Sequence, residues 1–375
     1  MKTPAALKSL ALPVALLAAA VFFAVREPAF LGPRNLTQLL IEFAMVGTLA
    51  LGMFLIILTG NIDLSVGSGV GLIGGIAAVL VTGQEWGAGA ALGAGLVVAV
   101  LLWTLMGALI VKQQIPSFII TLGGLLVFKG CFWLVIQSST VPVSRGDEDN
   151  AYSLLTTYYL PGTAGLGLAF AASFVVWVLS FRARAARRAV GLPEIPWRET
   201  VLKPATVMLV VFAVAFVCNR FRGVPLALVI LGAVTALVYF LTRHTPFGRY
   251  LYAIGGNEEA ARLSGIRVDR VLIGAFAFMG AMVAVTGFMT TAYSGASTTT
   301  VGELMELDAI AACVIGGTAL KGGRGTVWGV LLGALIMTVL LNGMTLLAVS
   351  PEMKFIARGA VLALAVWLDV KLGRS

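Results

Sequence analysis

Long apolar runs recur along almost the whole of this 375-residue chain, and they restrict its fold more than any other feature. Each run approaches the 20 or so residues that a helix needs to cross the hydrocarbon core of a bilayer. Only 11% of the residues are charged, whereas about a quarter are charged in a soluble domain. The short stretches of alternating polarity that are typical of a transmembrane β-barrel are absent. We therefore expect a single all-α, polytopic membrane domain over residues 1–375, with about 10–12 transmembrane helices.

The hydropathy pattern places a series of candidate spans along the chain. They are Leu10–Val25, Gln38–Thr59, Leu64–Thr82, Ala88–Val111, Ser117–Ile136, Ala164–Phe181, Ala205–Asn219, Val224–Leu241, Val271–Thr291, Leu307–Ala319, Thr326–Leu347 and Phe355–Val370. The first follows basic residues, as in a signal peptide, but we interpret it as a retained span because many others follow. The tenth is too short to cross comfortably and is either a half-helix or starts earlier. If it does not cross, the C-terminus changes sides.

The connections between the spans differ in charge, and this difference predicts the orientation. The chain carries a net charge of +9. With the N-terminus in the cytoplasm, the even-numbered connections hold most of the basic residues, including a basic insert at 182–203 and a loop at 243–270. The odd-numbered connections, such as "RGDEDN" and "GELMELD", are acidic or mixed. Cytoplasmic loops are rich in Lys and Arg, so we predict that both termini are cytoplasmic and that the charge does not mark a nucleic-acid site.

Glycine occurs at helical spacing in three places, which predicts close helix packing. Small residues four apart let helix backbones approach one another in lipid. The sets are Gly67, Gly71 and Gly75, then Gly325, Gly329 and Gly333, and the pair Gly89 and Gly93. The first two sets follow the polar breaks "TGNIDLS" and "GGTALKGGRG". Corresponding breaks in two halves of a transporter are a hint of pseudo-repeat halves around a central path.

The stretch "YAIGGNEEAARLSGIRVDR" predicts a short helix, residues 258–264, in the loop at 243–270. Asn257 is a good N-cap, Glu258 and Glu259 suit the positive end of the helix dipole, and Gly265 suits the left-handed position that ends a helix. So short a helix is marginal alone in water. The residues leave two interpretations open: the helix either packs on its own membrane domain or docks a cytoplasmic partner through Ala260, Ala261 and Leu263, with Arg262 in its last turn.

A family resemblance favours the second interpretation. "TPFGRYLYAIGGNEEAARLSGIRV" resembles the cytoplasmic loop of permeases from bacterial ABC monosaccharide importers, the ribose, arabinose and xylose group. "NIDLSVGS", "KQQIPSFIITLGG" and "ELDAIAACVIGGTALKGGRGTVWGVLLGALI" also resemble stretches of that family, in the same order. "RGVP", "NGM" and the basic insert are most similar to its D-xylose branch.

The resemblance implies a complete importer around this chain. It implies the ABC importer permease fold, a location in the bacterial inner membrane and D-xylose as the sugar. The helix of 258–264 would be the coupling helix that sits in a groove of an ATPase subunit with two nucleotide-binding halves. A periplasmic sugar-binding protein would deliver the sugar, and a homodimer of this chain would form the path.

Polar side chains inside the spans indicate where the path lies, because they are costly in lipid. Such groups are Gln38, Glu42, Lys129, Asp308, Asn342 and Arg358. Asp63 is expected to cap the third span by accepting from N–H groups near Ser65. Glu42 and Lys129 either neutralise each other or leave Glu42 as a proton carrier. We expect the path residues to be Glu42, Asn61, Asp63, Ser65 and Asn342.

The chain lacks the motifs that would make it an enzyme. No G-x-x-x-x-G-K-[ST] phosphate loop occurs, so ATP and its Mg²⁺ are expected on the partner and no cofactor on this chain. The only histidine, His244, is expected in a loop, and Cys131, Cys218 and Cys313 lie in apolar runs without metal spacing. The alternative to an ABC permease is an ion-coupled secondary sugar transporter, which would need a relay of ionisable residues near the bilayer midplane.

Overall fold

The computed structural model describes residues 5–146 and 149–373, and these residues form a helical bundle. The helices are α1 (Ala5–Arg26), α2 (Pro33–Leu58), α3 (Val66–Thr82), α4 (Ala88–Gln113), α5 (Ser117–Val135), α6 (Leu154–Thr157), α7 (Gly162–Ala189), α8 (Trp197–Asn219), α9 (Leu226–His244), α10 (Pro246–Gly256), α11 (Glu258–Leu263), α12 (Val268–Ser294), α13 (Met305–Ile315), α14 (Val327–Leu346) and α15 (Pro351–Gly373). A 3-10 turn, Pro28–Leu31, joins α1 to α2. The all-α, polytopic prediction is confirmed.

Each predicted span corresponds to one helix, and the three further helices, α6, α10 and α11, are short. Within the described residues, eight helices are long and apolar enough to cross a membrane, namely α2, α4, α5, α7, α8, α9, α12 and α14. Leu12–Arg26 of α1 and Val66–Thr82 of α3 are shorter apolar helices. The basic insert is largely helical, because α7 runs on to Ala189 and α8 begins at Trp197.

Helix α2 lies at the centre of the bundle. All of its residues from Ala44 to Leu58 are buried, and it contacts α9, α12, α13 and α14. Helix α12 packs against α2, α3 and α4. A helix that is apolar all round is expected in such a fully surrounded position. The exposed apolar side chains instead lie on outer helices such as α5, where Leu126 and Leu134 are among the most exposed.

Two short strand pairs and the loop after α13 define the two ends of the bundle. β1 (Val141–Pro142) pairs with β4 (Ala296–Ser297), and β2 (Tyr159–Leu160) pairs with β3 (Val224–Pro225). These pairs lie at the end of the bundle where α12 finishes. At the other end, which we call the cap end, the N–H of Gly323 donates to the carbonyl of Leu58 at 2.9 Å, beside α10 and α11.

Helix α13 corresponds to the tenth predicted span. It is shorter than predicted, Met305–Ile315, and begins inside the bundle, where Glu306 lies against Gly67 of α3. The non-helical segment after it reaches the cap end, where Gly323 meets Leu58. The half-helix and its extension together therefore connect the two ends of the bundle. As a result α14 runs away from the cap end and α15 runs back towards it, as expected for twelve crossing segments.

Two of the three glycine sets pack as predicted, and the third does not. The carbonyl oxygen of Ala312 in α13 lies against Gly333, that of Gly316 just after α13 lies against Gly329, and the segment 301–306 lies against Gly67. The two polar breaks also touch, through Gly323 and Leu58. By contrast, a β carbon at Gly89 or Gly93 would meet no atom of the described chain within 4 Å. That pair is therefore not a packing face against any of the described residues of the same copy of the chain.

The cysteines and the histidine carry no metal site among the residues that the structure describes. Cys218 and Cys313 are buried, as expected of small core residues. Cys131 differs, because it is exposed on the outer face of α5. His244 is the exposed last residue of α9.

Candidate functional site

Helix α11 begins as the sequence predicts. The Oδ1 atom of Asn257 accepts a hydrogen bond from the N–H of Ala260 at 2.9 Å, and the backbone of Asn257 is extended. Glu258 and Glu259 occupy the first turn, where the free N–H groups attract negative charge. This cap satisfies one of the N–H groups that the start of any helix leaves without a partner.

The end of α11 is fixed by two backbone hydrogen bonds around a left-handed glycine. Gly265 has a φ of +85°, and its N–H donates to the carbonyl of Arg262 at 3.1 Å. The next N–H, that of Ile266, reaches back to the carbonyl of Ala261 at 3.1 Å. This pair of bonds is the Schellman arrangement, which favours glycine because other residues are strained at that φ. Both ends of the helix are therefore set by local hydrogen bonds.

The side chain of Arg262 joins α11 to the start of α12. Its guanidinium lies 3.1 Å from a carboxylate oxygen of Glu258 and 3.2 Å from one of Asp269. The hydrogen bond to Glu258 and the negative charge of Asp269 raise the pKa of Arg262 above its usual value. All three side chains are exposed, so the ion pairs orient the helix more than they stabilise it.

The three apolar residues expected to contact a partner do not share one face. Leu263 is 83% exposed, and Ala260 is exposed beside it. Ala261 is buried in the core of the chain itself. The expectation that Ala261 contacts a partner is therefore corrected, since its methyl group attaches α11 to the bundle. Ala260, Leu263 and Glu259 remain available on the outside.

Helix α10 holds α11 against the cap end through very close backbone contacts. A β carbon at Gly255 would collide with the carbonyl of Leu58 and the N–H of Gly323. The Tyr252 hydroxyl donates to the carbonyl of Gly325 at 3.0 Å, and Leu251 is completely buried. Because these contacts involve backbone atoms, α10 and α11 are coupled to α2 and to the loop between α13 and α14.

An open cleft of about 410 Å³ lies beside α11. Its lining includes Phe247, Tyr250, Ile266, Arg267 and Arg270. A lining that combines aromatic and aliphatic side chains with arginines is typical of a surface that receives a protein partner. The cleft adjoins the end of α11, because Gly265 and Ile266, which follow directly after the helix, line it.

Asp63 occupies a different kind of site, deep between α3 and α4. Its carboxylate is completely buried and accepts from the N–H of Ser65 at 2.9 Å, from the Ser65 hydroxyl at 2.6 Å and from the Trp103 indole at 2.6 Å. The predicted bond to the N–H of Ser65 is therefore present, but Asp63 does not cap α3, because Ser65 is the N-cap residue and no side chain caps that helix. Asp63 and Ser65 have no exposed surface in this conformation. The expectation that they line the path is therefore corrected: in this conformation they lie inside the bundle.

The turn that carries Asp63 is held by the start of α5. The Thr121 hydroxyl lies 3.3 Å from the carbonyl of Ile62, and the Ser117 hydroxyl lies 3.4 Å from its N–H. The stretches "NIDLSVGS" and "KQQIPSFIITLGG" thus meet in space. Asn61, at the edge of this turn, is partly exposed, and its side-chain amide donates to the Thr59 hydroxyl at 3.0 Å.

Glu42 and Asn342 form a second polar cluster, away from the cap end. Glu42 accepts from the Tyr293 hydroxyl at 3.1 Å and from the Asn342 amide at 3.2 Å. The Asn342 oxygen in turn accepts from Asn35 at 3.0 Å. In the described part of the chain Glu42 makes no ion pair with Lys129, so the suggested neutralisation is wrong. Lys129 instead lies over the ring of Trp133, 5.7 Å from its centroid.

The five expected path residues therefore fall into two separate places, Asn61 to Ser65 in one and Glu42 with Asn342 in the other. Asp308, also noted as a polar group within a span, pairs with Arg358 at 3.2 Å and so ties α13 to α15. The sequence did not identify the partners Trp103, Tyr293 and Asn35. Their only signal was a hydrogen-bonding group inside or beside an apolar segment, and many such groups occur in the chain.

The chain has clear relatives among known proteins. A family model described as "Branched-chain amino acid transport system / permease component" matches residues 35–366. The xylose transport system permease protein XylH of Escherichia coli is 40% identical, over 97% of this chain and 93% of the relative. XylH of Haemophilus influenzae is 38% identical, over 93% and 92%. The ribose import permease protein RbsC of Escherichia coli is 33% identical, over 96% and 92%. No solved structure shows a significant match to this chain.

Proposed function

Because this chain belongs to the family of branched-chain amino acid transport system permease components, we propose that it is the membrane-spanning subunit of an ATP-driven ABC importer for a monosaccharide, D-xylose. The observation that carries the proposal is the 40% identity to a xylose permease over 97% of the chain. The ribose permease relative, at 33%, favours a sugar over the amino acids in the family description.

The proposed coupling runs through α11. An ATPase subunit with two nucleotide-binding halves binds the exposed face formed by Glu259, Ala260 and Leu263, with Asn257 and Gly265 fixing the two ends of the helix. Because one chain supplies one such helix, two copies form a homodimer above the two halves. ATP binding closes the two nucleotide-binding halves of the ATPase, and the α11 helices of the two copies move with them. The bundle then changes from a conformation open to the outside to one open to the cytoplasm. A periplasmic sugar-binding protein delivers the sugar on the other side.

The proposed orientation places the cap end in the cytoplasm. The basic tip of the α7–α8 hairpin and the arginine-rich loop of residues 243–270 then lie inside, as the distribution of Lys and Arg in membrane proteins favours. The chain spans the bacterial inner membrane, and both of its termini lie on the cytoplasmic side. Energy comes from ATP and Mg²⁺ bound to the partner, and this chain binds no cofactor and catalyses no reaction.

Reconstituted vesicles test the proposed function. Vesicles that hold this chain alone are expected not to accumulate labelled D-xylose under a proton or sodium gradient. Uptake is expected once the ATPase and the sugar-binding protein are added together with ATP. Gradient-driven accumulation by the chain alone would identify the secondary transporter instead. Labelled leucine serves as the matched control substrate. If ATP drives uptake of leucine but not of D-xylose, the chain is not a sugar permease.

A further inference from the structure

A polar cleft opens between α3, α5 and the segment that leads into α13, outside the five residues expected to line the path. Its volume is about 170 Å³, well below the roughly 300 Å³ at which pockets for drug-sized ligands begin. Its lining includes Ser68, Lys129, Phe132, Thr299, Glu303 and Glu306. A cleft of this size suits a ligand no larger than a single sugar ring.

Glu306 is a largely buried acid in the lining of this cleft. It is only 8% exposed, yet within residues 5–146 and 149–373 its carboxylate makes no hydrogen bond or ion pair with another residue. Buried polar groups are nearly always paired, because an unpaired one loses the hydrogen bonds that water gave it. A β carbon at Gly67 would collide with the Glu306 carboxylate, so only glycine at this position of α3 leaves room for the Glu306 side chain. The Glu306 carboxylate is thus held in place without a hydrogen-bond donor from another described residue.

Lys129 supplies a positive charge to the same cleft. It is half-buried on α5, and in the described part of the chain no carboxylate oxygen lies within 4.0 Å of its Nζ. The indole nitrogen of Trp133, the ring that Lys129 covers, lies 3.5 Å from the carbonyl of Thr299. The α5 helix and the segment before α13 are therefore in contact around the cleft.

The chemistry of this lining fits a neutral polyol. The lining carries charges of both signs, Lys129 beside Glu303 and Glu306, so no ion is attracted by all of them. Sugar hydroxyls both donate and accept, so they can bond a carboxylate, an ammonium and the hydroxyls of Ser68 and Thr299 at once. A ring such as that of Phe132 provides the apolar wall that small-molecule sites combine with a few polar groups.

We propose that this cleft is a monosaccharide contact site on the translocation path, in which Glu306 and Lys129 bind ring hydroxyls and Phe132 packs against the ring face. The proposal rests on the proposed function, because it assumes that the transported ligand is a sugar. It places the sugar beside α13, the half-helix whose extension reaches the cap end, where α10 and α11 are attached.

Protection of an introduced cysteine tests the cleft directly. Thr299→Cys places a thiol in the lining, and the exposed neighbour Thr300→Cys is the matched control outside it. Both are made in a Cys131→Ser background, since Cys131 is exposed whereas Cys218 and Cys313 are buried. The rate of reaction with a small maleimide is measured on the purified chain in lipid nanodiscs. D-xylose is titrated, and sucrose, too large for the cleft, controls for osmotic effects.

D-xylose is expected to slow the reaction at Thr299→Cys along a saturation curve while the reaction at Thr300→Cys stays unchanged. Adding Glu306→Gln is expected to shift that curve to higher sugar concentrations by about tenfold or more, the effect of losing one charged hydrogen bond. If Glu306→Gln alters the elution of the chain, Lys129→Gln replaces it. An unchanged rate at Thr299→Cys in D-xylose, or protection that persists in both substituted chains, would overturn the proposal.

This test is independent of the ATPase and of the sugar-binding protein. Protection without ATP-driven uptake would leave the cleft as a sugar site and reject the importer. Uptake without protection would keep the importer and reject the cleft. The two failures are therefore distinguishable.

Discussion

The α11 region and the Asp63 site are both hydrogen-bonded polar structures in an apolar protein, but they are built over different distances along the chain. The bonds of α11 join residues three to five positions apart, such as Asn257 to Ala260 and Ile266 to Ala261. Asp63 depends on Trp103, which is 40 positions away. Local bonds can be rearranged without moving the bundle, whereas those of Asp63 hold two helices together. We therefore expect local effects of substitutions in α11 and global effects of substitutions at Asp63.

The largest expected effect follows removal of the Asp63 carboxylate. Asp63→Ala leaves the Trp103 indole and the Ser65 N–H buried without acceptors, and each such donor costs about 1–3 kcal/mol. A loss of this size is a large part of the free energy of unfolding of a typical domain. We expect aggregated or unstable protein on size-exclusion chromatography in detergent. Asp63→Asn, which keeps one acceptor oxygen, is the matched control and is expected to lose less. An Asp63→Ala chain as stable as the parent would show that the hydrogen bonds of Asp63 do not hold the bundle together.

A smaller effect is expected where α10 meets the bundle. Gly255→Ala places a methyl group against the carbonyl of Leu58 and the N–H of Gly323, and such overpacking costs about 1–3 kcal/mol. Gly256→Ala, one residue further on, meets no atom within 4 Å. The midpoint of thermal unfolding in detergent is expected to fall for Gly255→Ala and to stay the same or rise slightly for Gly256→Ala. Equal midpoints would show that α10 is not closely attached.

The smallest effect is expected at the N-cap of α11. Asn257→Ala removes one hydrogen bond and costs about 1 kcal/mol, confined to the first turn. Amide hydrogen exchange of the segment 258–263 is expected to speed up several-fold while exchange in α2 and α12 is unchanged. Asn257→Asp keeps the acceptor oxygen and is expected to exchange like the parent chain. Faster exchange throughout the bundle would mean that the region is not built locally.

The same distinction explains what could be predicted from the sequence. Every long apolar run became a helix, because backbone groups in lipid must be satisfied within the segment. The caps of α11 were also predicted, since Asn257 and Gly265 act on residues within one turn. The half-helix character of α13 could be suspected from its length, but its position inside the bundle depends on the contact between Glu306 and Gly67.

The polar groups of the bundle were harder to assign because their partners are distant in the chain. Glu42 bonds to Tyr293 and Asn342, and no spacing connects these positions. The pairing of Glu42 with Lys129 was suggested by charge alone and was wrong. Ala261 was placed outside because periodicity in a six-residue helix does not define a face, whereas the packing of α10 does.

The proposed transport mechanism depends on the contact between an ATPase subunit and the exposed face of α11. This contact is tested by measuring how much ATPase co-purifies with Leu263→Asp combined with Glu259→Arg. Leu192→Asp, at an exposed leucine on the tip between α7 and α8, is the matched control. We expect the double variant to lose about tenfold or more of the ATPase, as for a central interface residue, while it elutes like the parent chain and the control binds normally. Full retention of the ATPase by the double variant would show that the ATPase does not act through α11.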